Sequence, residues 1–170
     1  MNYFQFYNIP ITFTVDEAAL KRTFYANSKK YHPDFYTLES EEKQQEILEL
    51  STLNNEAYKT LKDADKRMKY VLELKNALGE EGSNKIPQDF LMEMMDINEQ
   101  LMEYKFDPSP EKLKTINEEL RQLENALDME VSPIFTKFNS KTPNPTNLQT
   151  VKSYYLKNQY LNNLKNNLNG

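Results

Sequence analysis

The scarcity of glycine is the strongest constraint on how this chain of 170 residues can fold, because it has only three glycines. Two of them, Gly79 and Gly82, lie close together in a polar stretch that leads to Pro87. Glycine and proline interrupt regular structure, so this stretch predicts a linker over residues 77–86 between two helical regions. No segment shows the two-residue alternation that is typical of strands. The sequence therefore predicts an all-α protein with domains at 1–76 and 87–170.

A helical hairpin is predicted in the N-terminal domain. Its first helix starts at a capping-box spacing of Thr14 and Glu17. Pro33 ends this helix, since the residue before a proline is disfavoured in the α conformation. A second helix begins near Ser40. The apolar face of the first helix is formed by Leu20, Phe24, Asn27 and Tyr31. Two helices with a short loop between them predict an antiparallel pair.

Three helices are predicted in the C-terminal domain. The first runs from Pro87 to about Phe106, and the second begins at Ser109 or Pro110. Pro133 either kinks or ends the second helix. The third runs from about Thr146 to near the end of the chain. Helices joined by such short loops predict a three-helix bundle.

Composition excludes several classes of function. The chain has no cysteine, which removes disulfides, thiolate catalysis and cysteine-ligated metal or iron–sulfur sites, and His32 is its only histidine. We therefore predict no metal site and no cofactor. A formal net charge of -5 argues against general nucleic-acid binding. No apolar run approaches the ~20 residues of a membrane-spanning helix, and the first residues lack targeting features, so the expected location is the cytoplasm.

The most distinctive motif is His32-Pro33-Asp34, in the predicted hairpin loop. Taken alone, such a tripeptide is commonly a polar turn. The helix before it has four cations and two acids within an acidic protein. At about 100° per residue, Arg22 and Lys29 lie opposite the apolar face and Lys21 and Lys30 lie on its flanks. This basic stripe favours the steering of an acidic partner, although an ordinary solvated helix face has the same pattern.

The helix predicted from Pro87 has two apolar faces. Its core face is formed by Phe90, Met94, Ile97, Leu101 and Tyr104. Roughly 100–200° away lies a second face, which we call the outer strip and which consists of Leu91, Met92, Met95 and Met102. Carboxylates lie on the same side, at Asp96, Glu99 and Glu103. A surface helix needs only one apolar face, so the outer strip is either buried by the third helix or left for a partner.

Two separate segments resemble a J-domain. Residues 20–34 are similar to its second helix and loop, and residues 53–63 are similar to its third helix. The family likeness extends to Tyr3-Phe4, Ile9-Pro10, residues 70–74 and residues 89–93. On these segments the chain is identified as a member of the HscB family, the J-type co-chaperones of iron–sulfur cluster assembly. It departs from the family at Phe35, where a lysine often follows His-Pro-Asp.

The resemblance implies a co-chaperone that is not itself an enzyme. Its J-domain would bind a DnaK-type, HscA-like chaperone and stimulate ATP hydrolysis there, through His32, Pro33, Asp34, Lys21, Arg22, Lys29 and Lys30. Its C-terminal domain would bind an IscU-type scaffold protein. The matching positions for that contact are Leu91, Met92, Met95, Asp96, Glu99, Glu103 and Tyr155, with Tyr154 nearly as good a match as Tyr155.

Three alternatives stay open at this point. The chain could be a J-protein for a different client, a case that exposure of the outer strip argues against. It could be a helical adaptor in which the His-Pro-Asp loop is incidental, which a chaperone ATPase assay distinguishes. It could be a small hydrolase that uses His32 and Asp34, although these side chains point apart around Pro33 and no nucleophile is placed nearby.

Overall fold

The computed structural model describes residues 1–80 and 82–169, and every regular element within them is helical. The α-helices, in chain order, are α1 (Tyr3–Phe6), α2 (Glu17–Lys30), α3 (Glu41–Leu61), α4 (Ala64–Leu74), α5 (Gln88–Phe106), α6 (Pro110–Lys137) and α7 (Pro145–Asn169). The predicted all-α fold class is therefore confirmed. None of the described helices is long and apolar enough to cross a membrane. Glu81, in the predicted linker, and Gly170, at the predicted end of the C-terminal domain, lie outside the described residues.

The chain divides into two compact units. One comprises Met1–Leu74 together with Phe138–Thr142, and the other comprises Lys75–Lys137 and the residues from Pro143 onward. The predicted division assigned Phe138–Thr142 to the C-terminal domain. These residues group with the N-terminal unit, in which the ring of Phe138 meets Phe13 edge-on with centroids 4.7 Å apart.

A buried polar network joins the elements of the N-terminal unit. The side-chain amide of Asn54 on α3 donates to the carbonyl of Phe24 (3.1 Å) and to Ser28 Oγ (3.2 Å), both on α2. Its carbonyl oxygen accepts from the Tyr7 hydroxyl at 2.8 Å. Burial raises the pKa of Tyr7, which keeps its hydroxyl protonated as the donor. Each buried group left without its partner would cost about 1–3 kcal/mol, so the network fixes α2 against α3.

The ends of α2 and α3 place the loop between them. Asp16, rather than the predicted Thr14, caps α2, because the Asp16 carboxylate accepts from the backbone N–H of Ala19 (3.1 Å). Thr14 instead belongs to a turn in which its N–H donates to Thr12 Oγ1. At the other end of the loop, α3 begins at Glu41, close to the predicted start, and Ser40 is its cap. The hairpin of the predicted J-domain is therefore present, with the loop at its tip.

The C-terminal unit is a three-helix bundle, as predicted. The core face of α5 packs on α6 and α7, and the shared core includes Phe90, Met94, Ile97, Leu101, Ile116, Leu120, Leu127, Leu161 and Leu164. Burying each such side chain contributes about 1.5–3 kcal/mol. Helix α6 continues through Pro133 to Lys137, so of the two predicted outcomes at this proline, a kink or the end of the helix, the second does not occur.

Candidate functional site

Local hydrogen bonds hold the His-Pro-Asp loop in one conformation. Pro33 opens a 3-10 turn, Pro33–Tyr36, and the backbone N–H of Asp34 donates to His32 Nδ1 at 3.2 Å. The Tyr36 hydroxyl donates to the carbonyl of Lys30 at 2.7 Å and so joins the turn to the end of α2. The side chains of His32 and Asp34 are 52% and 84% exposed. The fixed loop therefore presents both of them to solvent.

The arrangement of His32 and Asp34 suits recognition better than catalysis. Because His32 Nδ1 accepts from the backbone, Nε2 is the donor position of the neutral ring. Asp34 Oδ2 lies 3.7 Å from Nδ1, and no nucleophilic side chain of the described residues bonds to the ring. Among all the described residues, no group of three or more His, Asp or Glu side chains could hold a metal ion. The loop thus offers a hydrogen-bond donor and an anion to a partner.

The basic stripe lies along the exposed side of α2. Lys21, Arg22, Lys29 and Lys30 are all exposed, and none forms an ion pair with another described residue. Lys29 and Lys30 occupy the last turn of α2, where the helix dipole favours positive charge. Lys30 Nζ also lies 5.1 Å from the centre of the Tyr31 ring. The four cations therefore remain available to an acidic partner.

The outer strip of α5 is exposed. Leu91, Met92, Met95 and Met102 are 40%, 62%, 59% and 72% exposed, and the carboxylates Asp96, Glu99 and Glu103 are exposed too. The neighbouring helices lie on the two flanks of α5: Asn98 donates to Tyr160 of α7 (2.8 Å), and Gln100 donates to Glu119 of α6 (2.9 Å). Burial of the strip by the third helix is therefore the wrong interpretation.

The predicted contact at Tyr155 is wrong, because this side chain is only 5% exposed. Tyr154 is half-buried, and its hydroxyl donates to the Asp128 carboxylate on α6 at 2.6 Å. The aromatic residue of α7 that borders α5 is Tyr160, whose ring meets Phe90 edge-on at 5.7 Å. Tyr160 was not among the predicted site residues. No pattern within α7 alone identifies it, because Leu161 and Leu164, which place Tyr160 beside the core, are recognised as core residues only from the packing.

Comparison with known proteins identifies relatives that are named HscB. Residues 86–169 match the family described as the HSCB C-terminal oligomerisation domain. A Vibrio cholerae (strain M66-2) protein named co-chaperone protein HscB homolog is 36% identical over 103 residues, which cover 59% of this chain and 60% of that protein. An Acinetobacter baumannii (strain AYE) protein of the same name is 33% identical over 122 residues, which cover 72% of this chain and 66% of that protein. The chain thus aligns with 60% of the length of the Vibrio cholerae relative.

Solved structures match over nearly the whole chain. The crystal structure of human co-chaperone protein HscB has a TM-score of 0.76 and 26% identity, covering 99% of this chain and 81% of its own. Chaperone HscB from Vibrio cholerae has a TM-score of 0.73 and 24% identity, covering 99% of this chain and 96% of its own. These likenesses establish the fold as a J-domain followed by a C-terminal helical bundle.

Proposed function

Because the chain belongs to the HscB family of co-chaperones, we propose that it acts as a non-enzymatic co-chaperone in iron–sulfur cluster assembly. Its J-domain would stimulate the ATPase of a DnaK-type, HscA-like chaperone, and its C-terminal bundle would deliver an IscU-type scaffold protein. A cytoplasmic location is part of the same proposal. The observation that carries it is the fixed, exposed His32-Pro33-Asp34 loop at the tip of the hairpin.

In this function the J-domain acts through binding free energy alone. The loop supplies a donor on His32 and a carboxylate on Asp34, and the basic stripe on α2 supplies long-range attraction to an acidic surface. A ligand shifts an equilibrium only by binding one state more tightly than the other. The J-domain therefore stimulates hydrolysis by binding the hydrolysis-competent conformation of the chaperone more tightly than its other conformations. The chaperone's own residues carry out the chemistry.

The client half of the function rests on the exposed outer strip. Exposed apolar side chains bordered by carboxylates suit a partner surface with apolar side chains and neighbouring cations. Because one chain binds both the client and the chaperone, it raises the effective concentration of the client near the chaperone. Family membership and the exposure of Leu91, Met92 and Met95 support the scaffold protein as this client.

The test is an ATPase titration. The chain is added to a purified HscA-like chaperone with and without an IscU-type scaffold protein, and ATP turnover is measured. We expect stimulation by the chain alone and a larger stimulation when the scaffold is present. Stimulation that the scaffold does not change, together with no scaffold binding by calorimetry, would indicate a different client. No stimulation under either condition would indicate a helical adaptor.

The basic stripe gives a kinetic prediction. Charge reversal at Arg22 or Lys29 is expected to slow association with the chaperone about tenfold at low ionic strength, because steering charges act mainly on the association rate. The wild-type rate should fall as salt is added. Stopped-flow fluorescence measures both effects. Lys114→Glu, at an exposed position of α6, makes the same charge change and is the control. A salt-independent rate, or an equal effect of Lys114→Glu, would contradict steering by the stripe.

A further inference from the structure

The exposed apolar surface of α5 continues beyond the positions that match the family. Met102 is 72% exposed, and Phe106, the last residue of the helix, is 93% exposed. At 100° per residue, Met95, Met102 and Phe106 all lie within about 60° of Leu91 around the helix axis. At 1.5 Å per residue, this face extends for about 22 Å. The polar residues Asn98 and Lys105 lie on the same side of the helix, so the face consists of two apolar parts, one at Leu91 and Met95 and one at Met102 and Phe106. All four apolar side chains remain exposed among the described residues.

The two edges of this face differ. On the side of α6 lie the exposed carboxylates Asp96, Glu99 and Glu103. On the side of α7, a groove of about 540 Å³ runs between the C-terminal halves of the two helices, with Met102, Asn163 and Asn167 among its lining residues. The side-chain amides of Asn163 and Asn167 are exposed and bond to no other described residue. The face is therefore largely apolar in the middle and anionic along one edge, and its other edge is lined by side-chain amides and by Lys105.

We propose that the scaffold-binding surface extends along α5 to Phe106 and into the groove beside Met102, where Asn163 and Asn167 hydrogen-bond to the scaffold. This inference rests on the proposed function. The occupant is a scaffold segment with apolar side chains along its centre and basic side chains facing Asp96, Glu99 and Glu103. A second copy of the chain fits less well, because α5 carries five carboxylates and one outward lysine, Lys105, so two such faces would repel each other.

The test compares two sets of substitutions in the full chain. Met102→Ala combined with Phe106→Ala is expected to weaken scaffold binding at least tenfold by calorimetry, because apolar anchors dominate interfaces. The denaturation midpoint and the scaffold-free ATPase stimulation should stay unchanged, since both side chains are exposed. Asn163→Ala combined with Asn167→Ala should weaken binding several-fold. Met129→Ala, at an exposed methionine of α6, is the matched control and should bind like the wild type.

Hydrogen exchange of the wild-type chain provides a second readout that needs no substitution. Scaffold binding should protect the backbone from residue 91 through residue 106 and over residues 163–167. Protection that stops before Glu99, or wild-type affinity of the double variant at Met102 and Phe106, would overturn the extension. The extension to Phe106 could then be wrong while scaffold binding itself is right. Loss of scaffold binding on substitution of Leu91, Met92 and Met95 would show that the proposed function holds without the extension.

Self-association is measured in parallel by sedimentation velocity. The proposal expects the same sedimentation for the wild type and the double variant at Met102 and Phe106. A wild-type dimer that this variant dissociates, with unchanged scaffold affinity, would assign the surface to a second copy and overturn the proposal. If neither the wild type nor any variant binds scaffold, the proposed function itself fails.

Discussion

Asp34→Asn and His32→Gln are each expected to abolish stimulation of the chaperone ATPase. Loss of one partner of a charge pair that is buried at an interface costs about 2–5 kcal/mol, so removal of the Asp34 charge is enough to abolish J-domain binding at working concentrations. His32→Gln removes the imidazole Nε2 donor from the same contact. Both side chains are exposed, so the free energy of unfolding should change by no more than about 0.5 kcal/mol. ATP turnover with saturating wild-type chain, compared with each variant, measures the effect.

The control for Asp34→Asn is Glu39→Gln, which removes an exposed carboxylate from the same connection between α2 and α3. It should leave stimulation at the wild-type level. Circular dichroism melts of all three variants check that the fold is retained. If stimulation survives both Asp34→Asn and His32→Gln, the loop does not act on the chaperone and the J-domain mechanism is wrong.

The second large effect is expected at the outer strip. Replacing Leu91, Met92 and Met95 together by alanine should weaken scaffold binding at least about thirtyfold, since a hot-spot residue contributes 2 kcal/mol or more. The variant should still stimulate the chaperone ATPase by itself and should lose the additional stimulation that the scaffold contributes. Because the three side chains are exposed, each should change the free energy of unfolding by only about 0.5 kcal/mol.

Two adjacent methionines supply the internal reference for stability. Met94 is 1% exposed and belongs to the bundle core, whereas Met95 is 59% exposed. Met94→Ala should lower the free energy of unfolding by about 2–5 kcal/mol through the cavity it leaves, and Met95→Ala should not. Urea denaturation measures both. A comparable loss of stability at Met95 would mean that the outer strip is packed and that the client binds elsewhere.

The features that the sequence predicts well are those that depend on local geometry. The two faces of α5 follow from the fixed turn of a helix, so the buried Met94 and the exposed Met95 are both placed by counting residues. The position of the loop follows in the same way, because Pro33 ends α2 and Ser40 begins α3. These relations need no knowledge of how the helices pack.

The features that the sequence predicts poorly depend on tertiary packing. The register of α7 against α5 is set by contacts such as that between Tyr160 and Phe90, and nothing within α7 alone distinguishes Tyr160 from Tyr155 as the neighbour of α5. Both Thr14 and Asp16 could cap α2. Thr14 lies in the turn that precedes the helix, where its N–H donates to Thr12 Oγ1, and Asp16 is therefore the residue that caps it. Capping preference ranks both residue types highly, so spacing alone selected the wrong one.

The exposure of methionine on α5 also has a consequence for redox chemistry. The chain has no cysteine, so its most readily oxidised side chains are the exposed methionines, and Met92, Met95 and Met102 all lie on the outer strip. Oxidation to the sulfoxide would make this apolar surface polar, while the His32-Pro33-Asp34 loop contains no sulfur. Under the proposed function, oxidation would therefore weaken binding of the scaffold protein and leave stimulation of the chaperone unchanged, and methionine sulfoxide reductases would restore scaffold binding.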